Sequence, residues 1–232
     1  MARAATSQRP KNQGAPYEPV ALEYYNSAKH PTCWAFGSAS EFLISEVLEK
    51  TPVKGARICD VGAGRSVALK ILGKRLVDAE SVWLVDSSPK MLSWNTVAHT
   101  PSVKLRICEA DEIDRLDVDF DIIVASLGDP YNTSEFWRAV RKSLRAGGRC
   151  LFSTPSFEWA SRYRCVAAQE RAGWALFELE GGATHFVPSH IFEEPAQLEV
   201  VEGAGLRVQS IARFRADQLE SAPPKLAGLP PI

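Results

Sequence analysis

A doubly wound α/β domain with a mostly parallel sheet is the fold class this sequence predicts, on three observations. Short apolar runs suited to strands alternate with helix-period segments from about residue 53 to residue 155. One of these runs, Asp121–Ser126, is apolar at nearly every position, as a strand buried on both faces requires. The first run, Ala56–Val61, ends in a glycine turn, Gly62-Ala63-Gly64, and passes straight into a helical pattern at Val67, Ala68, Ile71 and Leu72. Repeated units of this kind lay parallel strands side by side and put helices on both faces of the sheet.

The elements follow in order. Residues 1–19, rich in Arg, Gln, Pro, Gly and Ala and without periodicity, read as a disordered tail. A helical cap is expected over 20–52. Its pattern starts at Val20–Tyr25, breaks near His30-Pro31 and resumes from Ser38, with Ser38 or Ser40 as cap and Thr51-Pro52 as stop. The domain proper, 53–215, continues after its first strand and helix with a strand at Ser81–Val85. Pro89 then opens a helix from its first turn. Val103–Cys108 alternates as a third strand and Asp121–Ser126 is the fourth. Thr133 or Ser134 caps a helix over Glu135–Arg145 that Gly147-Gly148 should end, and Arg149–Ser153 is the fifth strand. Beyond Pro155 a helix is expected from Trp159 to about Arg171. Strands are expected at Trp174–Leu179 and Leu206–Ile211, with a helix near Pro195–Ala204 between them. Residues 216–232 read as a Pro-rich, extended tail.

Composition narrows the function. A net charge of −1 over 232 residues gives no support to a chain built to grip nucleic-acid backbone. The five cysteines show no C-x-x-C spacing, and His185 and His190 lack further ligands nearby in sequence, so neither a disulfide framework nor a metal site is expected. No apolar run reaches membrane-spanning length and no signal-peptide core is seen, so the expected location is the cytoplasm.

The glycine turn carries the chemistry. Gly62 and Gly64 permit tight turning and close backbone approach, and the next helix begins with unpaired N–H groups aimed at the same place. Asp60 adds a carboxylate at the mouth of the sheet, and Asp86, closing the second strand, suits bidentate hydrogen bonding to a ribose diol. A dinucleotide fingerprint would have a third glycine where Val67 stands, and a diphosphate would be repelled by a nearby carboxylate. An adenosyl sulfonium would tolerate or attract it.

This Asp60-x-Gly62-x-Gly64 form resembles the first motif of class I S-adenosylmethionine-dependent methyltransferases. Asp86-Ser87-Ser88-Pro89-Lys90-Met91-Leu92 resembles that family's D-x-S-x-x-M-L segment, and Glu202–Leu206 its usual turn into the last strand. The resemblance spans roughly Val53 to Phe214. It implies a seven-stranded sheet with the last strand antiparallel and S-adenosyl-L-methionine as cofactor. It implies that Asp60, Gly62 and Gly64 receive the methionine moiety, that Asp86 with Ser87 holds the ribose, and that Met91 packs near the adenine. By the same resemblance Asp111 and Glu112 border the adenine, and Ser126 ends the strand where the methyl is exposed. Gly128-Asp129-Pro130-Tyr131-Asn132 stands where the family places its catalytic loop and partly resembles the D/N-P-P-Y motif of amino methyltransferases. Asp129 and Tyr131 are therefore the candidates for orienting the acceptor, with His185 as a further candidate base.

The expected activity is methyl transfer to a small-molecule acceptor through an oxygen or nitrogen nucleophile. The alternatives are an exocyclic amine of nucleic acid, a protein, or a non-catalytic binding subunit that keeps the fold. The stripe Arg138, Arg141, Lys142 and Arg145 reads as a solvated helix face. The sequence fixes neither the acceptor nor the oligomeric state.

Overall fold

The structure is a computed structural model that describes residues 15–96, 100, 102–163, 173–215, 218, 223–226 and 232. Five strands, β1 (Arg57–Val61), β2 (Ser81–Asp86), β3 (Val103–Ile107), β4 (Phe120–Ala125) and β5 (Leu144–Phe152), form one parallel sheet. Their order is β3-β2-β1-β4-β5, so the chain reverses direction across the sheet between β1 and β4. A crevice opens at the carboxyl ends where such a reversal falls.

The two-residue period of the strands sorts the core into two layers. Ile58, Val82, Leu84, Ile122 and Val124 point to one face and pack with Ile44, Leu48, Ala68 and Leu72 of the helices α1 (Pro31–Leu48) and α2 (Val67–Leu72). Their neighbours Cys59, Val61, Trp83, Val85 and Ile123 point the other way. They meet Phe136, Trp137 and Val140 of α4 (Ser134–Ser143) and Val201 of α6 (Glu194–Gly203). The remaining helices are short: α3 (Pro89–Leu92) follows β2 and α5 (Phe157–Tyr163) follows β5.

Helix α4 shows the local logic. Thr133 Oγ1 accepts the Phe136 N–H at 3.3 Å, Glu135 sits in the positive first turn, and Arg141 and Lys142 sit in the negative last turn. Its basic stripe is ion-paired on the surface, Arg138 to Glu135 at 3.2 Å and Lys142 to Asp114 at 3.1 Å, which makes it a solvated face. Replacing Thr133 with Ala should cost about 1 kcal/mol of stability, read as a lower urea midpoint with an unchanged slope.

Several expectations are corrected. After β5 the chain adds no strand to the main sheet among the described residues; β6 (Trp174–Glu178) and β7 (Thr184–Pro188) form a separate antiparallel pair. Part of the stretch between the two expected strands, Thr184–Pro188, is thus itself a strand. Leu206–Ile211, expected as the final strand, has no regular structure, although Leu206 and Val208 still pack on the core. The resemblance's single seven-stranded sheet is replaced by five strands plus two. Helix α4 stops at Ser143, before its glycines. Leu144 turns to extended backbone opposite Phe120 and Arg149 pairs with Ile122, so Gly147, at φ +80°, lies in a bulge of β5 rather than at a helix end.

At the amino end the order is also different. Residues 16–25 form a run of turns, and α1 starts at Pro31 in its first turn, so Ser38 and Ser40 lie inside the helix and cap nothing. Most of the two expected tails, and the second half of the helix expected to reach Arg171, lie outside the described residues. Leu226 and Ile232, from the expected C-terminal tail, are buried beside Phe36 and Trp159.

Candidate functional site

A cavity of about 270 Å³ occupies the crevice at the carboxyl ends of β1, β2 and β4. The glycine turn after β1 forms one wall. Gly62 has φ +61°, and a Cβ there would come within 2.6 Å of the Tyr131 ring. Gly64 has φ +43° and lies directly beneath the Tyr25 hydroxyl. Both positions therefore need glycine for backbone conformation and for space.

Asp60 does not reach the cavity. It is 1% exposed, and its Oδ2 accepts both the Ser66 hydroxyl at 2.6 Å and the Ala68 N–H at 3.1 Å. Ser66 Oγ in turn caps α2 by accepting the Leu69 N–H at 3.0 Å. The acid thus fixes the start of α2 behind the turn. Burial pushes its carboxyl up to about 7 against the lowering effect of those hydrogen bonds, and Asp86 adds repulsion.

Asp86 does line the cavity. The Gly64 N–H reaches its Oδ2 and the Ser88 N–H its Oδ1, each at 2.9 Å. One carboxylate therefore joins the glycine turn to the start of α3 while keeping lone pairs for a ligand. Burial raises its pKa from the ordinary value, opposed by the two N–H groups. Ser87 and Met91 line the same wall. At the end of β3 the lining residues are Cys108, Glu109 and Ala110. Asp111 is exposed, and Glu112 is occupied by Arg115 at 2.5 Å.

The end of β4 closes the floor. Ser126 lines the cavity and shares a hydroxyl chain with Ser40 of α1 at 2.7 Å, which continues to Ser153 at 2.5 Å. Leu127 takes a left-handed φ of +52°, uncommon for a side chain of its size. Tyr131 presents its ring to the cavity while its hydroxyl donates to the Val61 carbonyl at 2.7 Å. Asp129 is buried: its Oδ2 accepts from Ser189 at 2.5 Å, and its carbonyl accepts the His190 N–H at 2.7 Å. His185 is outside the lining set and bonds through Nε2 to the Pro16 carbonyl at 2.7 Å. The geometry therefore brings Gly62, Asp86, Ser87, Met91, Ser126 and Tyr131 to one cavity and leaves Asp60, Asp111, Glu112, Asp129 and His185 off its surface.

Sequence reasoning passed over Asn95 and Asn132, which help hold this crevice together. Asn95 accepts the Ser66 N–H at 2.9 Å and donates to the Gly64 carbonyl at 2.5 Å, gripping the glycine turn from just past α3. Asn132 donates to the His190 carbonyl at 2.9 Å and accepts from Trp137 Nε1 at 2.8 Å, anchoring the 128–132 loop. Segment 15–30 crosses the site: Glu18 accepts from the Ser88 hydroxyl, the Ala21 carbonyl from Trp94 Nε1 at 2.9 Å, and the Tyr25 hydroxyl from the Arg65 N–H at 2.6 Å. Arg65 lies over the rings of Tyr25 and Trp94, at 4.6 and 5.0 Å. These partners are distant in sequence and carry no motif.

The residues present suit an adenosyl cation. The rim acids are Asp86 and Glu109, Met91 gives an apolar wall, and the glycine turn supplies a surface without Cβ atoms. A parallel α/β sheet with a carboxylate-edged crevice at its reversal point is a Rossmann-like architecture. Residues 59–152 match the family model described as a methyltransferase domain.

Solved structures agree on the fold. An S-adenosylmethionine-dependent methyltransferase from Mesorhizobium loti aligns with a TM-score of 0.56 at 19% identity, over 84% of this chain and 96% of that one. One from Clostridium acetobutylicum gives 0.57 at 14% identity, over 86% and 90%. A complex of DhpI with SAM and HEP gives 0.55 at 17% identity, over 81% and 84%. No curated protein sequence matches the chain. Among the described residues no helix is long and apolar enough to cross a membrane.

Proposed function

We propose that the protein transfers a methyl group to a small-molecule acceptor inside the crevice at the head of β1, β2 and β4. The observation that carries this is the enclosure of the cavity by Tyr17, Tyr24, Tyr25 and Trp34, which come from residues before the sheet. A roof of that kind suits a small acceptor better than a nucleic-acid strand or a folded protein. On this reading 20–52 is the cap, 53–215 the catalytic domain, and the cytoplasm the place of action.

Asp86, with Ser87, holds the ribose hydroxyls. Gly62 and the turn around it receive the methionine end, and Met91 with Cys108–Ala110 borders the adenine. Asp60 serves this wall from behind, by fixing the start of α2. Ser126 and Tyr131 flank the acceptor. Asp129 acts by holding the Tyr131 loop against Ser189 and His190. When bound, S-adenosylmethionine supplies an electrophilic methyl on a positive sulfur, so the protein contributes chiefly alignment and exclusion of water. No general base is assigned. His185 is engaged by Pro16, and burial lowers the pKa of His190.

Calorimetric titration of the full chain with S-adenosylhomocysteine and, separately, with NAD tests the cofactor. Saturable binding of the first and none of the second is expected. The reverse would sink the reading.

A further inference from the structure

One part of the cavity has a chemistry of its own. Its walls are Tyr24 and Trp34, from the segment before the sheet, and Leu127, Pro130 and Tyr131, from the end of β4. The charged side chains that line the cavity each have a contact of their own. Asp86 holds two backbone N–H groups. Glu41, farther along α1, pairs with Lys70 at 2.6 Å, and Arg65 is laid across Tyr25 and Trp94. Glu109 is likewise engaged.

Tyr24 is held by its neighbours: Tyr17 and Tyr25 meet it edge to face at centroid distances of 5.5 and 5.0 Å, and Phe177 lies tilted against it at 6.0 Å. Its hydroxyl makes no hydrogen bond among the described residues. Burial pushes that phenol well above its ordinary value, so it stays neutral and offers both a donor and an acceptor.

Resting on the methyltransferase reading above, we propose that the acceptor is an uncharged aromatic molecule. It stacks between Trp34 and Tyr131, with its nucleophilic hydroxyl or neutral amine hydrogen-bonded to Tyr24. Aromatic walls reward a planar ring. A protonated amine would have to sit about 4 Å from a sulfonium, where like charges repel by well over tenfold in affinity. An anion would be desolvated among those rings, and Arg65, the lining cation with no carboxylate partner among the described residues, is drawn away over Tyr25 and Trp94. The step balances simply. A lone pair of the acceptor atom forms the bond to the methyl carbon, the carbon–sulfur bond breaks with its electron pair left on sulfur, and the acceptor proton leaves to water.

Three probes with the same ring and hydroxyl separate the possibilities: 4-methylphenol, neutral; 4-hydroxybenzylamine, cationic; and 4-hydroxybenzoate, anionic. Each is titrated calorimetrically into the full chain saturated with sinefungin, an analogue that cannot give up a methyl group and carries an ammonium group in place of the sulfonium. The neutral probe should bind about tenfold or more tighter than either charged one, a gap of about 1.4 kcal/mol. Tyr24→Phe, which keeps the ring, should weaken it about fivefold or more. Exposed Trp34→Leu should weaken it about tenfold. Both variants should leave the affinity for S-adenosylhomocysteine within about twofold. Equal or tighter binding of a charged probe, no binding of any of the three, or indifference to both substitutions overturns the inference while the methyltransferase reading stands. Failure of S-adenosylhomocysteine itself to bind overturns that reading and this inference together.

Discussion

Replacing Asp86 with Ala is expected to weaken S-adenosylhomocysteine binding about 100-fold or more. Hydrogen bonds to a charged acceptor contribute about 1.5–3 kcal/mol each, and a ribose diol would make two of them. The substitution also releases the Gly64 and Ser88 N–H groups that share this carboxylate, so the glycine turn and the start of α3 lose their common tether. Asp86→Asn separates the two contributions. The amide keeps one acceptor for the backbone but gives up the charge, and should fall between Ala and the parent. Calorimetry gives the affinities and a thermal melt of each free protein gives the cost to folding. If the Ala variant binds within a factor of about three of the parent, the carboxylate has no part in cofactor binding.

Asp60→Asn is expected to change how stability responds to pH. In the folded protein burial lifts the Asp60 carboxyl to about 7, against an ordinary value of 3.8. The folded state therefore binds more protons than the unfolded one between those values, and stability must fall as pH rises through that window. The slope approaches about 1.4 kcal/mol per pH unit, and the full window amounts to something on the order of 4 kcal/mol. Both hydrogen bonds received by Asp60 end on one oxygen, so the Asn amide oxygen can accept both. The variant should match the parent near pH 4 and exceed it at pH 7. The measurement is the urea unfolding free energy of both proteins at several pH values. A difference that stays constant from pH 4 to pH 7 would refute the buried, destabilised carboxylate.

The two acids show how far sequence reasoning reached. Asp60 and Asp86 stand at the ends of neighbouring strands and look equivalent on paper. In the fold one hydrogen-bonds to Ser66 and the first turn of α2 with 1% exposure, and the other borders the cavity. Strand alternation fixes which sheet face a residue takes. Whether a carboxylate at a strand end turns toward the crevice or the adjoining helix depends on nearby N–H groups. The end of β3 shows a similar limit: Asp111 and Glu112 sit off the cavity in a 3-10 turn past Glu109, in a stretch too rich in acids for its register to be read.

Loop chemistry near Tyr131 was legible in kind but not in role. A proline turn before a capped helix is what the residues specify, and Asp129-Pro130-Tyr131 forms one. The engagement of Asp129 by Ser189, and of the Tyr131 hydroxyl by Val61, arises from segments about 60 and 70 residues away in sequence. The strand expected at Leu206–Ile211 was read from alternation alone. Alternation shows that one side of a segment is apolar, and Leu206 and Val208 do pack on the core, but ladder pairing is a property of two segments.

By itself the sequence determined the elements whose signals are local: the two-faced parallel strands, the glycine turn, the Thr133 cap and the acid that ends β2. Apolar periodicity, glycine's freedom at positive φ and capping act within a few residues, so they are written in the order of the chain. Only the tertiary structure decided which of the candidate acids face the crevice. It also decided that Tyr24, Tyr25 and Trp34 roof the crevice and that Asn95 and Asn132 hold its walls. Those outcomes rest on hydrogen bonds and ring contacts between segments far apart in sequence, which exist only once the sheet has brought them together.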